Sequence, residues 1–332
     1  MSVRRAFAFA LGGLSGCALA AAAGASARFY AGRRCADRVW AASRYPQLGG
    51  MGAVERLAIL PLIDWYAVSD DLATEPGVAY LVRADDTTIL FDVGYNQGAE
   101  HPSPLLRNMA ALGVDIADVD ALVISHAHED HQGGSSHMRG CTYALSGQPV
   151  DLKGIPAYVP VSLSHPTAES IVVDAPRVIA PGVASTGPIP RQLFFLGWTL
   201  EQSLAVNVKG KGIVLIVGCG HPTLQRIVDR AEMLFEEPIH GLVGGLHYPV
   251  TASREQLFGL LPAQRLMGTG KPPWDPINRQ DVETAIAYLE RRQPCLVALS
   301  PHDSCDWSLG AFRTAFGQAC QDLLVGEEIV IQ

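Results

Sequence analysis

Residues 125–134 read Ser-His-Ala-His-Glu-Asp-His-Gln-Gly-Gly, which sets His126, His128 and His131 beside Glu129 and Asp130. Imidazole nitrogen and carboxylate oxygen are the donor types that hold zinc, iron and manganese. The alternation His-x-His-x-Asp-His is far more specific than a tract merely rich in histidine. The apolar residues 121–124 just before it read as a buried strand. The donor run therefore starts where a strand ends, the edge at which layered α/β folds place their sites. Gly133-Gly134 lets the chain turn tightly beside a cation.

One short loop does not fill a metal centre, and three other strand ends offer histidine. His221 follows Ile213–Val217 through Gly-Cys219-Gly, His247 follows Ile239–Val243 through Gly-Gly-Leu, and His302 follows Leu296–Leu299 through Ser-Pro. Each histidine sits just beyond an apolar run. If these runs are parallel neighbours, their ends gather on one rim, so three repeats of the pattern argue for one shared site.

The elements that must position these residues follow from periodicity. Segments 77–83 and 88–94 read as a hairpin around Asp85-Asp86, and 203–208 and 212–218 as a second hairpin around Lys209-Gly-Lys-Gly. Further strands are expected near 57, at 121–125, 157–161, 239–246 and 295–300. Helices are expected at 105–112, 222–235, 281–292 and 309–316. Two hairpin-rich halves, each followed by helices, predict an α/β fold of the αββα sandwich kind: two mixed β-sheets face to face, with helices on the outer faces. Residues 248–278 interrupt the alternation with a Pro- and Gly-rich insertion containing Lys271-Pro-Pro-Trp274. Such a loop is either a lid or a surface excursion, and Trp274 is expected to pack beneath it as a buried anchor or, if the insertion folds over the site, to stack on a ring-bearing substrate.

The SHAHEDHQGG string resembles the metal-binding signature of the metallo-β-lactamase superfamily, and Asp92 in Leu-Phe-Asp-Val-Gly resembles the aspartate just upstream of it in that superfamily. Gly218-Cys-Gly-His221, Gly244-Gly-Leu-His247 and the late His302 are similar to the subfamily of dihydropterin ribofuranosylaminobenzene phosphate synthases. The chain departs from that subfamily at Gly220, where serine is usual, and at Asp303-Ser304, where Cys-Thr is usual.

The resemblance covers about residues 57–330 and implies the metallo-β-lactamase fold with two divalent cations, zinc first, with iron or manganese as alternatives. His126, His128 and His221 are expected around one cation, and Asp130, His131 and His302 around the other. A metal-bridged hydroxide, its pKa lowered toward about 7, would then attack an ester-type bond: phosphodiester, lactone or related. Asp130 would also orient that water. Cys219 is either a thiolate ligand or a small buried residue after a strand. His247 is either a donor to a substrate oxygen, and then catalytic with Asp130, or a satisfied strand-end histidine. Asp92 is expected to orient a ligand histidine. His165 reads as structural or as part of the pocket rim, and His101, His137 and His240 as surface or core residues. A pterin-related synthase or transferase, or a non-catalytic metal-binding sensor, are the alternative functions.

Apolar residues make up 48 % of the 332-residue chain and charged residues 17 %, a normal globular balance. The net charge of −8 with no Lys/Arg cluster argues against nucleic acid as a partner and leaves a small molecule. None of the seven cysteines forms a CxxC pair, which excludes a zinc ribbon or thioredoxin motif. Arg4-Arg5, the Ala-rich stretch 6–25 and Ser26-Ala27 have the layout of an export signal, with a twin-arginine flavour. Leu14-Ser15-Gly16-Cys17 resembles a lipobox, and an uncleaved membrane anchor is a third form. The expected organisation is an export signal or anchor at 1–28, a polar linker at 29–55, and a catalytic domain at 56–332 of a periplasmic or membrane-anchored protein. The oligomeric state is left open.

Overall fold

The computed structural model describes residues 3–254, 256–257 and 261–332, with side chains over 21–254, 256 and 262–332. Helix α1 (Val3–Ala42) leads to β1 (Leu57–Ile63), β2 (Ala79–Ala84), β3 (Thr87–Phe91), α2 (Pro104–Ala111), β4 (Ala121–Val123), α3 (Ser135–Gly140), β5 (Pro156–Val159) and β6 (Glu169–Val172). Next come β7 (Arg177–Ala180), β8 (Val183–Ser185), β9 (Ile189–Leu193), β10 (Gly197–Glu201), β11 (Leu204–Val208), β12 (Gly212–Val217), α4 (Leu224–Leu234) and β13 (Ile239–Gly244). The chain closes with β14 (Gln256–Leu257), β15 (Leu261–Pro262), α5 (Ala263–Met267), α6 (Arg279–Glu290), β16 (Leu296–Leu299), α7 (Asp306–Phe316) and β17 (Ile329–Ile331).

Two sheets carry the fold. The first has the order β17-β1-β2-β3-β4-β5-β6 and the second β16-β13-β12-β11-β8-β7. In the first, β3, β4, β5 and β6 run parallel, and in the second β12, β13 and β16 do; the strands before them pair antiparallel. Strand alternation sorts the side chains into layers. Val214 and Ile216 of β12 meet Tyr80, Val82, Ile89 and Phe91 between the sheets. Their neighbours Ile213, Leu215 and Val217 face the helices, packing with Ile227 and Val228 of α4 and with Val282 and Leu289 of α6. On the far side, Leu81, Leu90 and Leu122 pack with Leu105 and Met109 of α2. Strands buried on both faces explain the unbroken apolar runs of the sequence. The result is the expected α/β architecture of two mixed sheets between helices.

Two expectations change. Residues 29–42 are not irregular linker but the last turns of α1, held by Phe29 and Ala36, which are buried. Phe29 lies 5.3 Å from Phe194, ring to ring, and Gly32 gives room for the side chain of Gln192. The polar composition of this stretch marks only the outer face of the helix. The insertion 248–278 is not without structure, since it holds β14, β15 and α5; its residues 255 and 258–260 lie outside the described residues. Cys17 and Arg4-Arg5 also lie outside the residues with described side chains. Among the described residues, no helix is long and apolar enough to cross a membrane.

Candidate metal centre

The parallel strands β3, β4, β12, β13 and β16 end on one rim, and each supplies residues to it from the loop that follows. Beyond β4 come His126, His128, Asp130 and His131; beyond β12, Cys219 and His221; beyond β13, His247; beyond β16, His302. They assemble as two adjoining donor sets, His126/His128/His221 and Asp130/His131/Cys219/His302, each with its donor atoms within 4.8 Å of one another. Nε2 of His221 and Nδ1 of His128 face each other at 3.1 Å. In the other set the Cys219 Sγ sits 3.1 Å from Nε2 of His131 and 3.2 Å from Nε2 of His302. Asp130 Oδ2 approaches Nε2 of His131 at 3.4 Å. His247 joins Cys219 and His221 in a third overlapping group. Every residue expected to ligate, including the open case of Cys219, is therefore in one place.

The backs of the rings are held by hydrogen bonds, which fixes which nitrogen faces the centre. Asp92 Oδ2 is 2.7 Å from Nδ1 of His131 and also accepts from the Ser125 hydroxyl at 2.7 Å, which in turn lies 2.9 Å from Nδ1 of His126. One buried carboxylate thus orients two rings. Gly218 is required beside it, because a Cβ there would stand 2.2 Å from the Ser125 Oγ. His221 Nδ1 donates to the Gly268 carbonyl at 2.7 Å. His302 Nδ1 meets Ser300 Oγ at 2.6 Å, and Ser300 donates onward to Asp64 Oδ2 at 2.6 Å.

Sequence reasoning missed Asp64, at the end of β1, and Glu201, at the end of β10. Glu201 accepts the backbone N–H groups of Cys219 (3.1 Å), Gly220 (2.7 Å) and His221 (2.8 Å), so it moulds the loop that carries two donors. Burial pushes its carboxyl up to about 7 and that of Asp64 up to about 6. The sequence offered no signal for either: what sets Asp64 and Glu201 apart is that they are buried, and burial is not written in composition. Asp303, another departure from the subfamily pattern, accepts the His247 N–H at 2.9 Å.

The donors fit divalent cations. Burial depresses the imidazoles of His126, His221 and His302 well below their ordinary range and brings His128 and His247 to about 4, so these rings are neutral and keep a lone pair. Burial alone would depress His131 too, but Cys219, Asp130 and Asp92 raise it well above. Burial alone would raise Asp130, yet His131, His128 and His302 hold it well below the carboxylate range. Burial pushes the Cys219 thiol up, a cost that a cation removes by binding the thiolate. Nε2 of His126 is buried and has no hydrogen-bond partner among the described residues. A buried lone pair left without a partner is costly, and a cation satisfies it.

The centre opens into a pocket of about 250 Å³ lined by Asp130, His247, Tyr95, Met138, Leu196 and Met267, among others. His247 is buried, with Nε2 donating to the Gln264 carbonyl at 2.9 Å and Nδ1 unpaired among the described residues. Trp274 does not anchor the insertion from below: it is 57 % exposed and touches Phe194 edge-on at 5.2 Å. Trp274 stands instead at an exposed turn of the insertion, against Phe194 at the β9–β10 turn. His165 stacks on Tyr143 at 5.2 Å, away from the centre, and His101 and His137 pair with Ser146 and Thr142.

Comparison with known proteins agrees with this geometry. The family model of the metallo-beta-lactamase superfamily matches residues 73–140. The chain is 22 % identical over 269 residues to the 7,8-dihydropterin-6-methyl-4-(beta-D-ribofuranosyl)-aminobenzene-5'-phosphate synthase of Methanocaldococcus jannaschii, covering 68 % of this chain and 88 % of that one. It is 46 % identical over 53 residues to the transcription termination factor FttA of Cenarchaeum symbiosum, a stretch that spans only 8 % of that protein. The structure of Tm1679, described as a metal-dependent hydrolase of the beta-lactamase superfamily, superposes with a TM-score of 0.57 at 18 % identity, over 82 % of this chain and 98 % of that one. The family match is thus confined to the segment that holds the first donor run, while the chain as a whole shares with Tm1679 the fold of two sheets between helices, here around a His/Asp/Cys cluster suited to metal ions.

Proposed function

We propose that the protein is a dinuclear metal-dependent hydrolase acting on an ester-type bond of a small molecule, phosphodiester or lactone. The observation that carries this reading is the pair of adjoining donor sets at the floor of a pocket lined by Asp130 and His247. Two divalent cations, when bound, supply Lewis-acid polarisation and a water acidic enough to ionise near neutral pH. His126, His128 and His221 would hold one, and Asp130, His131, Cys219 and His302 the other. Asp130, at the mouth, is placed to orient the attacking water. His247 presents a neutral ring at the pocket wall; with Nε2 donating to the Gln264 carbonyl, its Nδ1 would accept a hydrogen bond from a substrate hydroxyl. The apolar side chains of Leu196, Met138 and Met267 line the same pocket and offer contact to an apolar part of the substrate. The Arg4-Arg5 segment adds the proposal of export, tested by locating the protein in the cell envelope or the cytosol.

The test is metal analysis combined with turnover of a lactone and phosphodiester panel. Two metals per chain are expected, with activity falling by ~10²–10⁴-fold in Asp130→Asn and His131→Ala. Full activity in both variants overturns the reading. A second reading, a synthase or transferase on a pterin-like substrate, is favoured by the Methanocaldococcus jannaschii relative, whose similarity spans most of both chains. Condensation without hydrolysis of any panel member would decide for it, and a metallated protein inert in both assays would decide for a sensor.

A further inference from the structure

A second pocket of about 200 Å³ lies behind the metal mouth, sharing with it only His221, His247 and Gly268. Its wall holds Arg191, Lys271, Thr223 and Thr269, none of which belongs to the donor sets. We propose that this back pocket binds a small oxyanion, a phosphate or carboxylate group, as a ligand separate from the one at the metal mouth.

Arg191 is the reason. It projects from β9 on the side opposite Gln192, which packs against Gly32 of α1. Its Nε is buried without a hydrogen-bond partner, and among the described residues the guanidinium makes no ion pair. Gly270 gives it room, since a Cβ there would lie 2.3 Å from that Nε. Burial pushes Arg191 down to about 10, helped by the nearby positive charges of Arg226 and Arg33; Asp37, which opposes them, is itself paired with Arg226. A buried N–H donor with no acceptor is unfavourable, and a planar or tetrahedral oxyanion bridging Nε and a terminal N–H of the same guanidinium satisfies it bidentately.

The other walls fit the same ligand. Helix α4 begins at this pocket, with Thr223 and Gln225 in its lining, and no side chain caps the helix. Its first amides therefore remain as donors for an anion. The one acid in the lining, Asp281, is occupied: its Oδ2 accepts from Lys271 Nζ at 2.7 Å and from the Asn278 N–H at 2.9 Å.

The pocket is also tied to the metal mouth. Residues 268–271 form the partition: the Gly268 carbonyl holds His221, Gly270 abuts Arg191, and Lys271 anchors to Asp281. α5, which precedes this segment, lines the mouth through Ala263, Gln264 and Met267. An anion on Arg191 therefore pins the segment that covers the centre.

Calorimetric titration of the metal-loaded, full-length protein with inorganic phosphate and with methyl phosphate tests this. Binding of either probe is expected, with tighter methyl phosphate marking the anionic group of a larger molecule and tighter phosphate the free ion. Arg191→Gln should weaken binding by about 10–100-fold, the effect of losing a charge-assisted bidentate contact. Arg191→Lys keeps the charge without the fork and should fall between. Asp130→Asn, which addresses the metal mouth, should leave this binding in place, so the result is independent of whether the hydrolase reading holds. Absence of binding by both probes, or equal affinity in wild type and both Arg191 variants, overturns the proposal; in the second case the anion sits on the metals.

Discussion

Glu201→Gln is the sharpest probe of how the centre is built. The carboxylate uses Oε1 for the amides of Cys219 and Gly220 and Oε2 for that of His221. A glutamine of the same shape must turn its NH₂ toward at least one of these donors, so one acceptor becomes a donor facing a donor. Losing a charge-assisted hydrogen bond costs ~1.5–3 kcal/mol, and a buried amide left without a partner ~1–3 kcal/mol; the two overlap, giving ~2–4 kcal/mol. The neutral amide escapes the burial cost that lifts the Glu201 carboxyl to about 7, which puts the net change near the lower end. At ~2–4 °C per kcal/mol for a domain of this order, the melting temperature should fall by about 4–8 °C. Because Cys219 and His221 ride on the displaced loop, metal affinity should also drop by ~10–100-fold, the usual effect of removing an outer support. Thermal denaturation and competitive metal titration of both proteins read the two effects separately. A stability change under ~0.5 kcal/mol, as for a neutral surface substitution, together with unaltered metal affinity, would refute the reasoning.

Three further outcomes are expected. Gly268→Ala places a Cβ 2.1 Å from the His247 ring at an ordinary φ of −98°, so His247 or the Gly268–His221 hydrogen bond must yield; a loss of ~1–3 kcal/mol by denaturant unfolding is expected, and wild-type stability with wild-type turnover would contradict it. Chelation should lower the melting temperature, because cations held at ~10³ times their dissociation constant stabilise the native state by about 4 kcal/mol; an unchanged transition would show that folding does not create the site. Trp274→Ala should cost under ~1 kcal/mol, since the ring is 57 % exposed and rests on a single aromatic edge; a cost above ~2 kcal/mol would restore it as a buried anchor.

What the sequence revealed and what it hid divide along a physical line. Donors to a metal must be imidazole, carboxylate or thiolate and must sit just beyond strand ends, so His126, His128, Asp130, His131, His221 and His302 announce themselves by type and by the apolar run before each. The sheets were legible for the same reason: Ile213–Val217 and Leu296–Leu299 are apolar on both faces because both faces are covered. The ribbon β9–β10 and strands β6 to β8 were not, because short polar strands carry no strong period, and Glu201 and Arg191 arrive from that stretch. Nor does type identify a supporting acid. Asp64 meets Ser300, which holds the His302 ring, across 236 residues of chain, and the hydrogen bonds Glu201 accepts among the described residues come from backbone amides, which any residue supplies. Asp92 was found by its resemblance to the aspartate upstream of the superfamily signature, and the physical reason comes from the structure: β3 pairs with β4, so the Asp92 carboxylate falls beside the loop that β4 feeds. Local pattern therefore reports the groups whose chemistry suits a cation, whereas the groups that hold them still are specified by topology, and it is on these that the rigidity of the centre depends.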